Sequence, residues 1–296
     1  MLGYRAGYNA TEAENTIAIG KQAFGNGVLT GDRNIGIGQL AGFDLTSGIS
    51  NFFSGYNSGG NATEGNYNIS IGYSTIGVGV LTGTDNVAIG RQAGNVISSG
   101  NYNIMLGYRA GYNATEAENN VAIGKNAIGL GVLAGDDNVA IGNGAGTDLT
   151  SGATNVFMGY IAGGNVTTGA DNVIIGPNAG ISLTTGSNNT IIGHDAAPTS
   201  ASVSNEITLG NASVTDVRIP GVDFYIIDGV VGIGTNGPSA YGGKLVLAGV
   251  AAGGENTLVV ANNSTNQFIR VGINSNVAQV AWDDGDAIAF GTATNS

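Results

Sequence analysis

His194 is the only histidine in a 296-residue chain that has no cysteine. A serine-hydrolase type of site needs an imidazole held between a nucleophile and a carboxylate, and a zinc site needs several His or Cys ligands. One imidazole supplies neither, so His194 reads as an ordinary corner residue. Three copies around a threefold axis are the one arrangement that would let it hold an ion. Asp283, Asp284 and Asp286 crowd one turn and offer the hard oxygens that calcium takes, but the EF-hand spacing and its closing glutamate are missing. A solvated turn accounts for them. Gly232-Ile233-Gly234-Thr235-Asn236-Gly237 fits G-x-G-x-x-G after a Val-Val pair. A dinucleotide site also requires a helix next and an acidic residue about 20 positions on. Pro238-Ser239-Ala240-Tyr241-Gly242-Gly243 is a poor helix. The expectation is a chain with no catalytic residue, no cofactor and no metal, which is not an enzyme.

The elements that carry these residues follow from composition. The chain holds 53 glycines and four prolines, only 10% of its residues are charged, and its formal charge is −12. Glycine so far above its average of ~7% calls for a special backbone, but no G-X-Y period makes it collagen. Recurrent Val and Ile among Asn, Thr, Ser and Gly point to an all-β chain. No Lys/Arg cluster exists, so nucleic acid is not an expected partner. No apolar run approaches ~20 residues, so membrane insertion is not expected either. Met1 is not followed by the basic and apolar regions of a secretory signal. Sequons such as Asn61-Ala62-Thr63 follow from Asn/Thr-rich turns and need no glycan.

The dominant pattern is a repeat. Gly3, Gly20, Gly38, Gly55, Gly72, Gly90, Gly107, Gly124, Gly142, Gly159, Gly176, Gly193 and Gly210 each close an N-V-A-I-G-like box, at intervals of 17 or 18 residues. A longer period of 52 relates Gly20, Gly72, Gly124 and Gly176, and residues 1–15 return unchanged at 105–119. Four positions before the glycine stands an asparagine in ten coils, among them Asn34, Asn68, Asn86, Asn103, Asn120 and Asn138. Val or Ile flanks a small residue in the box, as in Ile17-Ala18-Ile19, with Phe53, Met105 and Phe157 as large exceptions. Alternation along a strand makes one face apolar and the other small. Glycine and Asn supply the corners. Stacking then predicts a β-solenoid (β-roll) with a ladder of Asn amides, some thirteen coils spanning roughly 60 Å. A coil this short offers three or four sizeable apolar side chains, so the small face is expected to bury itself against two sister copies in a homotrimer.

The box, with its following A-G and T-x-G, resembles the head repeats of trimeric autotransporter adhesins. It is still more similar to the shaft repeats of bacteriophage tail fibres, over residues 1 to about 210. NEITLGNASVTDVRIPG at 205–221 and GVVGIGTNGPSAYGGKL at 229–245 are similar to the link between shaft and tip in such fibres. The resemblance implies a virion tail fibre that attaches to a host cell-surface glycan or protein and joins an upstream fibre or baseplate protein. A bacterial surface adhesin is the alternative. It also implies a C-terminal chaperone that cuts itself off after a serine, with Ser296 as the processed end. Met1-Leu2-Gly3 matches the inside of a coil at Met105-Leu106-Gly107, so continuation upstream is expected.

The organisation expected is a shaft at 1–218, a connector at 219–243 and a small antiparallel β tip domain at 244–296. Apolar runs at 244–248, 257–261, 267–273, 277–282 and 287–290 would form its strands. As the distal module it is the expected receptor contact, through Trp282, Asp283, Asp284, Phe268 and Tyr241, with an aromatic stacked on a sugar ring. Two other solenoid classes fit less well. A hexapeptide acyltransferase needs strict six-residue spacing, yet Ile89 is followed six positions on by Asn95. An ice-binding solenoid needs a flat threonine array; Thr46, Thr82, Thr150 and Thr184 approach it, but Ser98 and Ala134 interrupt it.

Overall fold

The computed structural model describes residues 1–215 throughout and, beyond them, the backbone of six strand segments. Two compact units divide the chain, Met1–Asp216 and Val217–Ser296. No helix occurs among the described residues.

The first unit is a β-solenoid. Its strands are β1 (Ile17–Ile19), β2 (Ile35–Ile37), β3 (Phe52–Ser54), β4 (Ile69–Ile71), β5 (Val87–Ile89), β6 (Ile104–Leu106), β7 (Val121–Ile123), β8 (Val139–Ile141), β9 (Val156–Met158), β10 (Val173–Ile175), β11 (Thr190–Ile192) and β12 (Ile207–Leu209). They form one 12-stranded sheet in chain order, every pair parallel. Each residue pairs with the same repeat position one coil on, as Ala88 does with Met105. The box at Gly3 contributes only a bridge from Leu2 to Ile19. Eleven steps of ~4.8 Å make this column ~50 Å long.

Each strand stops after three residues because the box glycine leaves β space. From Gly3 to Gly193 these glycines have φ between 127° and 139°, which side chains rarely tolerate. Further left-handed residues shape the corners. The residue before each ladder asparagine is one, often Asn or Asp: Asn119, Asp137, Asp171, Asn188. Thr154 fills this place at φ 57° with a β-branched side chain. Such strain costs about 1 kcal/mol. An asparagine amide can still reach Asp171, as Asn188 reaches Asn205 at 2.7 Å. Thr154→Asn is therefore expected to raise the melting temperature by a few degrees, about 1 kcal/mol, read by thermal denaturation.

The two strand faces are the reverse of the sequence expectation. The middle residue of each strand, the small one, points into its own coil: Ala18, Ser70, Ala122 and Ala140 are buried, as are Phe53 and Phe157. The Val and Ile on either side face outward, with Ile17 45% exposed and Ile89 40%. The small face is thus not available to sister copies; one chain fills its own interior. The reason is volume. A second buried row (Ala23, Ala41, Ala93, Ala110) and a third (Leu29, Leu45, Leu81, Leu133) close the coil, leaving Ala-sized space beside the strand.

Glycines make room for most of the larger side chains that enter that space. Phe24, Ile76 and Ile128 follow the box glycines of the 18-residue coils, and Phe53, Met105 and Phe157 sit in the strands. A Cβ on Gly36 would lie 2.8 Å from the Phe24 ring, and one on Gly59 would lie 2.6 Å from Phe53. The two rings meet with centroids 6.5 Å apart. From Phe24 to Phe157 one pair of large residues serves each block of three coils, and beyond it Ile174 and Ile191 fill two strand centres in succession.

In the second unit, β13 (Phe224–Ile226) and β14 (Val231–Ile233) pair antiparallel. β15 (Asn256–Asn262), β16 (Gln267–Asn274), β17 (Val277–Trp282) and β18 (Ala287–Ala289) form a four-stranded antiparallel sheet in chain order. The fifth expected strand, 244–248, lies outside the described residues.

Candidate interaction surfaces

The repeat asparagines form a buried internal ladder. The Asn103 amide donates from Nδ2 to Asn86 Oδ1 at 3.0 Å and to the Ala117 carbonyl at 2.8 Å. Its Oδ1 accepts the Asn120 backbone N–H at 3.0 Å and Asn120 Nδ2 at 3.3 Å. The same connections recur from Asn34 to Asn189. The carbonyls that receive these amides belong mostly to the T-x-G glycines, including Gly48, Gly65, Gly83 and Gly100. The box glycines Gly38, Gly72, Gly90, Gly107, Gly124 and Gly142 stack in their own column at the strand ends. Both sets are structural, and neither presents chemistry to solvent.

Glu206 ends the ladder where an eleventh asparagine would stand. Its backbone N–H donates to Asn189 Oδ1 at 2.9 Å. The Thr199 hydroxyl donates to its carboxylate, and the Thr208 hydroxyl does so at 2.7 Å. These bonds, Thr199 first, hold its carboxyl below the ordinary carboxylate range, against a small opposing effect of burial. A depressed folded-state value means stabilisation that is present above the unfolded pKa of about 4.3 and lost as pH falls through the folded one. Glu206→Gln is therefore expected to melt below the parent at pH 7, with the gap closing below about pH 4.

Three outward features remain. The first is the aliphatic stripe of the sheet, two residues wide and twelve strands long, interrupted only by Phe52, Ser54 and Thr190. At ~10 Å by ~50 Å it covers on the order of 500 Å², at the upper end of what monomers leave exposed. The second is the corner after the box glycine. Tyr56 and Tyr73 stack there at 5.1 Å between centroids, 16° from parallel. Arg91 lies 4.4 Å from the Tyr108 ring centre, and Arg109 lies 5.4 Å from Tyr108 and 5.0 Å from Tyr112. The third is the acidic corner before the asparagine, with Asp32, Glu64, Glu118, Asp136 and Asp171.

His194 sits exposed beside Asp195, Nδ1 to Oδ2 3.1 Å. A pair so open to solvent contributes little. No group of three or more His, Cys, Asp or Glu suited to a metal occurs among the described residues. In the second unit, Trp282 pairs with Ile269 and Phe268 with Ala261. The two aromatics therefore occupy adjacent rows of one sheet. Tyr241, Asp283 and Asp284 lie outside the described residues, as does most of 232–237. The asparagines form the expected ladder, whereas the aromatic and cationic corner was not expected, although the sequence carries its signal: Tyr4, Tyr56, Tyr73, Tyr108 and Tyr160 all directly follow a box glycine.

No protein-family model, no curated protein and no solved structure matches the chain.

Proposed function

We propose that the chain is the shaft of a homotrimeric bacteriophage tail fibre, a structural and receptor-binding protein of the virion that attaches to the host cell surface. The observation that carries this reading is the aliphatic stripe. Three columns turned inward around one axis would bury it along its whole length, and a closed cyclic assembly is the simplest way for identical copies to do so. The stripe replaces the small-residue face as the expected contact. The 17–18-residue coil favours a phage shaft over a bacterial trimeric surface adhesin, which is the second member of the same class.

An ice-binding surface is less well supported. The threonine column at the T-x-G corner spends its hydroxyl protons within the solenoid: Thr46 donates to the Thr63 carbonyl at 2.9 Å, Thr150 to Thr167 at 3.0 Å and Thr184 to Ala201 at 3.0 Å.

Sedimentation at micromolar concentration tests the assembly. The whole chain is expected to run as a trimer that resists heat and SDS. Ile89→Lys with Ile123→Lys is expected to run as a folded monomer, because these side chains face away from the coil interior. A monomeric parent protein refutes the proposal.

A further inference from the structure

Charge is sorted across the solenoid. Of the six Lys and Arg residues in 1–215, five (Arg5, Lys21, Arg91, Arg109 and Lys125) follow a box glycine by one or two positions. Most acids stand instead on the corner before the asparagine. A chain of net charge −12 therefore carries one edge where cations collect, and tyrosines alternate with them. In five successive coils the residue after the glycine is Tyr56, Tyr73, Arg91, Tyr108 and Lys125. Four steps of ~4.8 Å make a track ~19 Å long.

We propose that this edge binds an acidic polysaccharide, laid along the axis of the solenoid. Tyr56 and Tyr73 are 41% and 53% exposed, and their stacking holds the rings in a fixed pose. With their faces turned to each other, the two rings present their edges and phenol hydroxyls to a glycan passing along the column. Arg109 is oriented by Tyr108, Tyr112 and a bond from its Nε to Gln92 Oε1 at 3.0 Å. With Nε given to Gln92, the Nη donors remain for a planar carboxylate. One coil advances about as far as one extended pyranose unit, so sugars can keep step with the repeat.

Charge density selects the polymer. A nucleic acid strand carries a phosphate every ~3.4 Å and gains affinity by releasing counterions over a long basic surface. Here only two of the five track positions are cationic, with Arg109 beside them, three are neutral tyrosine, and acids border the rest of the coil. A glycan with carboxylates spaced along a mostly uncharged chain fits that distribution. The inference deepens the attachment reading, since it moves a receptor contact from residues 244–296 to the shaft, but it can fail while the trimer stands.

The test is binding of the whole chain to alginate, hyaluronate and polysialic acid, with dextran and a single-stranded oligothymidine as comparisons, by calorimetry at two salt concentrations. At least one acidic glycan is expected to bind, weakening with salt, and dextran is not. Arg91→Ala with Arg109→Ala is expected to weaken binding at least tenfold, and Tyr73→Ala severalfold. Arg109→Lys, which keeps the charge, is expected to lose less. Melting curves and sedimentation of each variant should match the parent, since these side chains lie outside the core. The proposal falls if none of the three acidic glycans binds, if oligothymidine binds as tightly, or if Trp282→Ala abolishes binding while the arginine variant does not. It also falls if the arginine variant turns a trimer into monomers, for the corner would then be a subunit contact.

Discussion

Asn103→Leu is expected to remove 3–5 kcal/mol of stability, roughly a third of what a typical domain possesses, as read by chemical denaturation. The substitution is close to the original volume, so packing changes little; hydrogen bonding changes a great deal. Leucine leaves the Ala117 carbonyl without its amide and the Asn120 backbone N–H without its acceptor, while Asn120 Nδ2 keeps the Glu118 and Gly135 carbonyls. Each buried polar group stranded in this way costs about 1–3 kcal/mol. Asn103→Asp should be worse at pH 7, because it buries a charge with an acceptor facing two acceptors. Burial raises such a carboxyl. Lowering the pH should therefore restore part of the loss for the aspartate variant and none for the leucine one. Equal stability of the leucine variant and the parent would mean that the ladder contributes nothing.

The second large effect is expected at Gly107. Its φ of 134° lies where only glycine is comfortable, and an added Cβ would sit 2.6 Å from the Gly124 carbonyl oxygen. Backbone strain and overpacking together predict a loss of at least about 3 kcal/mol for Gly107→Ala. Gly100→Ala makes the informative comparison. Its column is also crowded, but Gly100 has no positive φ, and the column already accommodates Ala117 and Val203. A cost of about 1–2 kcal/mol is expected there. If the two alanine variants unfold at the same denaturant concentration, the left-handed backbone is not what demands glycine at position 107. Because coils contact mainly their neighbours, a lesion at the middle of the column should also broaden the transition more than the same lesion near Gly193.

The repeat made most of this column legible. Asn34 through Asn189 share one place in every coil, and a buried amide with four hydrogen-bonding sites finds partners in its own copies above and below. The parallel, in-register sheet follows from the same spacing. What the spacing does not carry is which side of a three-residue strand faces in. Ile17 and Ile19 are the larger pair, and size alone assigns them to a core. The decision lies in the return path: Ala23 and Leu29 already occupy the enclosed space, so only Ala18 fits beside them. Phe53, Met105 and Phe157 were the legible clue. A large residue recurring among small ones, with Gly59, Gly111 and Gly163 six positions after it, marks an enclosed slot rather than an open face. The Tyr108 and Arg109 corner was hidden for another reason. Its partners, Arg91 and Tyr112, belong to different coils or different corners, and their proximity appears only once the winding is known.

The wide spacing of the large core residues has a bearing on errors of winding. Every coil offers the next the same amide and the same strand, so neither can tell adjacent coils apart, and a chain could thread one turn out of place at no loss to either. Phe24 and Phe53 can. A shift by one turn would take each ring away from the gap that Gly42 and Gly59 keep open for it. The rings thus act as a vernier, reading position along a column whose other marks are all alike.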